Sequence, residues 1–431
     1  MSQSSTQQRR TWVILACGAA AIVLLGLIFY APAWWVSLKA PQYPAEAFPD
    51  GVRIDFHMNG VFNGCQLLSR KEIVEEQALD CVHEMDAINH FVGMFPIASG
   101  GVVEKFFSPF LISMLGFMIL GFVIERPWLR LAVMGAGFAA VAAWMSIAFL
   151  MPGGIAWQNA GYLQAMVTSL GQGEEEVGEE QSPVIAALKK SLIESGAGGA
   201  TDAAQLQKSV ESLGESKLGE ALSKLHQGQA AGQGKTLKEI LSEASQSKLS
   251  GKALSIAILK SAFEADQARK PEATRQAWNG SGAQVLGWHH EKSLGRWFNQ
   301  PEKNGPIAHR MLNIAYGLFV VVLAGMAAML YVGRNNGRLS LLLALLPVLL
   351  PVFFIIEYSA WLWWYGHSLN EMGAFTLKPF MPTVFGQGKV AQFTTYSYPS
   401  SGFAFMLAMS ALMLLALLVR RKQQAEGSVG A

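Results

Sequence analysis

The chain has 431 residues, 51% of them hydrophobic and 15% charged, with a formal net charge of +2. A near-neutral balance, with basic residues gathered at the ends of apolar runs, excludes nucleic acid as a partner. Three cysteines are too few for a disulfide scaffold, so the composition is that of a membrane protein carrying one sizeable soluble insertion.

The first apolar run, 12–33, follows Arg9 and Arg10. It resembles a signal sequence, with Ala31-Pro32-Ala33 imitating a cleavage site. The run is longer than the usual apolar core of about 7–15 residues, and Pro32 and Trp34 are poor neighbours for cleavage. Residues 1–35 therefore read as an uncleaved anchor, with Cys17 as a small packing residue in it. Further spans fall at 106–125, 129–151, 311–333, 339–365 and 402–419, each near the roughly 20 residues needed to cross about 30 Å of hydrocarbon. Arg126 and Arg130, then Arg334 and Arg338, then Arg420, Arg421 and Lys422 mark alternate gaps. The positive-inside rule then puts both termini and the two tight turns in the cytoplasm. The expected fold is an all-α polytopic protein of a bacterial inner membrane, with about six transmembrane helices.

Between the spans, residues 36–105 read as a periplasmic helical subdomain. Ser69 and Glu72 fit a capping box for a helix from about Lys71 to Met94, whose stripe of Val74, Ala78, Cys81, Met85, Ile88 and Val92 has core spacing. Residues 106–151 and 311–365 form two hairpins on one plan, each with a basic turn and an aromatic exit. Residues 152–310 form a periplasmic insertion, low in large apolar residues, helical near 182–195, 202–226 and 235–270 and otherwise partly disordered. Residues 366–401 form a periplasmic surface segment that meets the N-terminal subdomain over the helix ends, and 402–431 carry the last span and a cytoplasmic tail. Pro347 and Pro351 bend the fifth span, where neighbours must satisfy the freed carbonyls.

The residues that could carry chemistry fall on the outer side. His83, His90 and Met94 share one helical stripe; His83 and His90 are about 10 Å apart along the axis, too far for one ion to bridge unaided. His57 and Cys65 offer more ligands of that kind, near turns at Asn59-Gly60 and Asn63-Gly64. Imidazole with thioether suits copper, and also axial haem iron; a solvated face with ordinary histidines is the competing reading. Cys65 and Cys81 can pair as a disulfide or stand as two free or metal-binding thiols. Glu357, near the outer end of an apolar helix, faces a cavity or partner, or else anchors at the interface among Trp361, Trp363 and Trp364. His367 opens the surface segment. No C-x-x-C-H is present, so covalent haem attachment is excluded.

Glu84–Met94, "EMDAINHFVGM", and Tyr365–Pro399, "YGHSLN…LKPFMPTVFGQGKVAQFTTYSYP", resemble two motifs of bacterial inner-membrane proteins found beside nitrous-oxide reductase maturation and copper-delivery components. The resemblance covers about 45 residues and the helix arrangement, and rests on Asn89, His90, Gly93, Met94, Gly366 and His367. It implies a periplasmic copper- or redox-linked accessory role beside a periplasmic or membrane metalloprotein. The expectation is thus a non-enzymatic accessory protein binding or handing over copper through His90 and Met94 with His83, His57 or His367. The alternatives are an electron-transfer subunit holding b-type haem or quinone, with His90 and His367 as haem ligands, and a cofactor-free assembly subunit.

Overall fold

A computed structural model describes residues 3–41, 43, 45–46, 48–65, 80–170, 251–335, 337–373, 377–390 and 393–429. Six of its helices are long and apolar enough to cross a membrane. They are α1 (Gln3–Tyr30), α3 (Val102–Val123), α4 (Pro127–Leu150), α7 (Pro301–Gly333), α8 (Leu342–His367) and α9 (Ser401–Val429). The chain is a multi-pass membrane protein, and its surface of apolar helices suits a lipid bilayer. Three shorter helices are α2 (Cys81–Phe91), α5 (Gly251–Ala268) and α6 (Gly282–Gly295).

The chain divides into two units, Met1–Ala165 with Ser281–Ala431, and Met166–Gly280. In the second unit α5 buries Ile258, Leu259 and Phe263, and Phe263 meets Trp278 edge-on at 5.3 Å between ring centroids. The helices expected at 182–195 and 202–226 lie outside the described residues, as does the first part of the one expected at 235–270.

In the first unit the α3–α4 hairpin turns at Arg126-Pro127, with proline at the first helical position, where its missing N–H costs nothing. The Arg130 guanidinium donates to the carbonyls of Gly121, Ile124, Gly333 and Asn335, tying this turn to that of the α7–α8 hairpin. Arg420 does the same for α9, reaching Glu125 and the carbonyls of Phe122 and Val123. Beside the prolines of α8, the Ser410 hydroxyl of α9 donates to the Val348 carbonyl at 2.6 Å, tying the two helices together.

The opposite end of the bundle carries a feature that the sequence reading did not anticipate. Residues 36–105 are not wholly helical: with the last two residues of the expected anchor they supply β1 (Trp34–Lys39), β2 (Val52–His57) and β3 (Gly60–Asn63). The segment 366–401 adds β4 (Gly386–Val390) and β5 (Phe393–Pro399). These make one antiparallel sheet in the order β3-β2-β1-β5-β4. The turn read at Asn59-Gly60 closes the β2–β3 hairpin, in which His57 pairs Gly60. The pairing of β1 with β5 joins the two segments expected to meet, with Trp34 opposite Pro399. Trp34 fixes this sheet to the bundle: it is 2% exposed, donates to the Ser397 hydroxyl at 2.8 Å, and lies among the rings of Tyr358 and Phe403.

α2 lies against β1 and β2, burying Cys81, Val82 and Met85 with Leu38, Val52 and Ile54. Its start is a correction to the expected helix over 71–94. Asp80, in extended conformation, is the N-cap, its side chain accepting from the amides of Val82 and His83. Residues 66–79, with Ser69, Glu72, Val74 and Ala78, lie outside the described residues. The helix also ends early, at Phe91, because Gly93 takes the left-handed conformation at φ 83°. The amides of Gly93 and Met94 return to the carbonyls of His90 and Asn89, which is the Schellman closure.

Candidate functional site

The two segments that carried the resemblance are locked together backbone to backbone. The Asn370 amide donates to the Gly93 carbonyl at 2.7 Å, and the Phe380 amide to that of Gly366 at 3.1 Å. A β-carbon on Gly93 would stand 2.5 Å from the Asn370 carbonyl oxygen. The Tyr365 hydroxyl donates to the carbonyls of Pro96 and Ile97. Gly93 thus serves a close joint between the end of α2 and the segment after α8, and Gly366 lets that segment fold back onto the end of α8 at Phe380.

The histidines and the methionine from the sequence reading are distributed around this joint. His90 stacks on Trp297, centroids 4.1 Å apart and planes 2° from parallel. His83 lies 6.3 Å from the same ring, with its Nδ1 3.2 Å from the Arg296 guanidinium. These two therefore converge. Met94 leaves the stripe because α2 stops before it, and packs with Phe95, Leu294, Phe298 and Tyr365, a cluster bordered by Trp297. His57 bonds the Tyr30 carbonyl through Nδ1, and burial holds its pKa below the ordinary value. His367 bonds the Trp363 carbonyl and stacks on Trp363. His57 and His367 join neither each other nor the His83–His90 pair in any contact described. Cys65 and Cys81 are disulfide-bonded, their α-carbons 6.0 Å apart, and Cys17 is a buried free thiol. Among the described residues, no group of three or more His, Cys, Asp or Glu is arranged to hold a metal ion.

What the structure gathers instead is charge. Asp86, on α2, is fully buried and pairs with Arg296 at 3.3 Å. It also accepts from the Ile97 amide at 2.7 Å. Burial outweighs both partners and pushes the Asp86 carboxyl up to about 6. The first turn of α3 adds Glu104 and Lys105, and α8 adds Glu357. Lys105 is the common neighbour, within electrostatic range of Glu104, Glu357 and Asp86. Glu357 interacts with the Trp361 side chain, one helical turn on. α6 contributes His289 and His290, 6% and 1% exposed. Neither ring nitrogen of His290 has a hydrogen-bond partner, and burial, with His289 and Lys105 nearby, lowers its pKa to about 3. His290 is therefore a neutral imidazole.

Of this set Glu357 alone was read from the sequence as a candidate site residue, and the His289-His290 pair read as structural or interfacial. Glu104 and Lys105 were visible as the only charged pair at the head of an otherwise apolar span. Asp86 could have been noticed as a carboxylate between Met85 and Ile88, two positions of the α2 core stripe. Nothing local marks Arg296, which reaches Asp86 across 210 residues of sequence. No protein-family model, characterised protein or solved structure matches this chain.

Proposed function

We propose that the protein is a charge-handling membrane subunit that takes up a small cation, the proton included, in the cluster beneath its sheet. The carrying observation is the imbalance of mutually interacting groups: three carboxylates (Asp86, Glu104, Glu357) against two cations (Lys105, Arg296). Uncompensated charge at the end of a membrane bundle is costly and tends to mark an ion or proton site. On the positive-inside argument from the arginines, the sheet and this cluster face the periplasm of a bacterial inner membrane.

Copper is the second reading, favoured by the meeting of His83 and His90 at Trp297. It agrees with the implied role beside a metalloenzyme under maturation. The Arg296 charge beside His83 opposes a bound cation there. In the b-type haem alternative, His90 and His367 would be ligands, and they stand against different tryptophans.

The test is isolation of the full chain with metal analysis, an absorption spectrum and proton uptake after a pH jump. The charge-handling reading expects a bound cation or proton uptake that Glu104→Gln and Glu357→Gln each abolish. Copper lost only from His83→Ala/His90→Ala would replace it with the second reading, and a haem spectrum with the third. No cation, haem or proton uptake would sink all three and leave a cofactor-free assembly role.

A further inference from the structure

At the head of α3, Gly101 adopts φ 59° and leaves open room on its α-carbon. A methyl group there would meet Lys105 Cε at 3.5 Å, Trp361 Nε1 at 3.9 Å and Glu104 Oε2 at 4.0 Å, all ordinary contacts. One small recess is therefore walled by an amine stem, an indole N–H and a carboxylate oxygen. That oxygen, Glu104 Oε2, is buried with no hydrogen-bond partner. Glu357 interacts with the same Trp361 and with both Glu104 and Lys105. From α6 comes His290, fully buried, with neither nitrogen partnered and Lys105 in range. A buried polar atom left unpaired costs about 1–3 kcal/mol, and native structures hold few of them. Two such groups, on separate helices, interact electrostatically with Lys105.

We propose that Glu104 and Glu357 share one exchangeable proton at the Gly101 recess, delivered through a water molecule, with Lys105 as the fixed counter-charge. The inference rests on the charge-handling reading and names its species and site. A hydronium reaching the recess breaks one O–H bond and gives its proton to a Glu104 carboxylate oxygen. The water left behind stays in the recess, no electrons move, and the Glu104–Glu357–Lys105 set goes from −1 to neutral. His290 remains neutral beside Lys105. It offers the one donor and one acceptor that a bridging water needs. The other titratable or charged groups facing the set are Asp86, with Asp80 and His83 near it on α2, and His289 and Arg296 on and after α6. The absence of a three-ligand grouping among the described residues favours a proton over a metal ion.

The test is infrared difference spectroscopy between acid and neutral pH on the full chain in nanodiscs. Asp86 titrates in the same range, so the signal read is the part of the protonated-carboxyl band that moves with isotope-labelled glutamate. That component should shift in heavy water and disappear in Glu104→Gln and in Glu357→Gln, and Asp86→Asn should retain it. Its absence from the wild-type chain, or its loss with Asp86→Asn, overturns the proposal without relying on the folding of any glutamine variant. A glutamate-labelled component of undiminished size in either glutamine variant also overturns it. If that component is absent and elemental analysis finds a cation that both glutamine variants lose, this proposal falls and the broader reading stands. Absence of both sinks both.

Discussion

The two ends of the helix bundle use charge in different ways. At the arginine end, Arg130 and Arg420 point their guanidinium groups at the last carbonyls of neighbouring helices. Those carbonyls lack intrahelical partners and carry the negative end of the helix dipole, so each arginine is a cap as well as an orientation signal. The carboxylate that pairs with Arg420, Glu125, is half-exposed and sits at a hairpin turn. At the sheet end, carboxylates outnumber cations and the pairing is buried; unpartnered polar atoms occur there on Glu104 and His290, against Gln423 at the arginine end. Helix capping and membrane orientation explain the first arrangement and neither explains the second.

That contrast is broken most directly at Arg296. Replacing it with Met strands Asp86, which is fully buried, and should cost about 3–5 kcal/mol of stability. The double variant Arg296→Met/Asp86→Leu should recover most of that loss. Arg420→Met leaves Glu125 in contact with water and should cost less than half as much. Thermal unfolding in detergent compares them, and equal losses at both ends would end the distinction. Next in size is the disulfide, which closes a sequence separation of 16 residues between the sheet and α2. Its removal in Cys65→Ser/Cys81→Ser should cost about 3 kcal/mol, read as a lower melting temperature that reductant no longer changes. The joint comes third. Gly93→Ala forces a β-carbon into the left-handed region and against the Asn370 carbonyl, at about 1–3 kcal/mol. Gly26→Ala, in the open middle of α1 where nothing lies within 4 Å, should be neutral or gain about 0.5–1 kcal/mol. A similar response at both glycines would mean that the joint is loose.

The spans were legible because runs of about 20 apolar residues between arginines admit few other readings. The sheet was not. Its strands are four to seven residues long, and β1 begins four residues after α1 ends, so Trp34 and Trp35 read as the end of the membrane anchor. Pairing β1 with β5 joins residues more than 350 apart, and no local signal carries that. The early end of α2 was available in Gly93. It was passed over because the stripe of His83, His90 and Met94 fitted helical spacing beyond the real terminus. The histidines were visible as a class, whereas the buried charge set was not, because Asp86, Lys105, Glu357 and His290 come from four elements that only the fold assembles.

The smallest net effect on the wild-type chain should come from pH, because its two contributions carry opposite signs. Asp86 holds its proton up to about 6, against an ordinary 3.8. The folded chain therefore binds more protons than the unfolded one in that window, and this contribution to stability declines as pH rises from 3.8 to about 6. His290 is the reverse, lowered from 6.5 to about 3. The unfolded chain binds more protons between those values, so this contribution grows as pH rises through them and is complete above 6.5. Where the windows overlap the two slopes oppose each other, each at most about 1.4 kcal/mol per pH unit, and the wild-type chain should look almost flat. Asp86→Asn removes the falling slope and should leave a chain that loses stability steadily on acidification. His290→Gln removes the rising slope and should leave one that gains stability over the same acidification. Melting temperatures at a series of pH values separate the two. Parallel curves for the two variants would mean that the buried groups at the sheet end do not titrate with folding, and the contrast with the capped arginine end would lose its electrostatic basis.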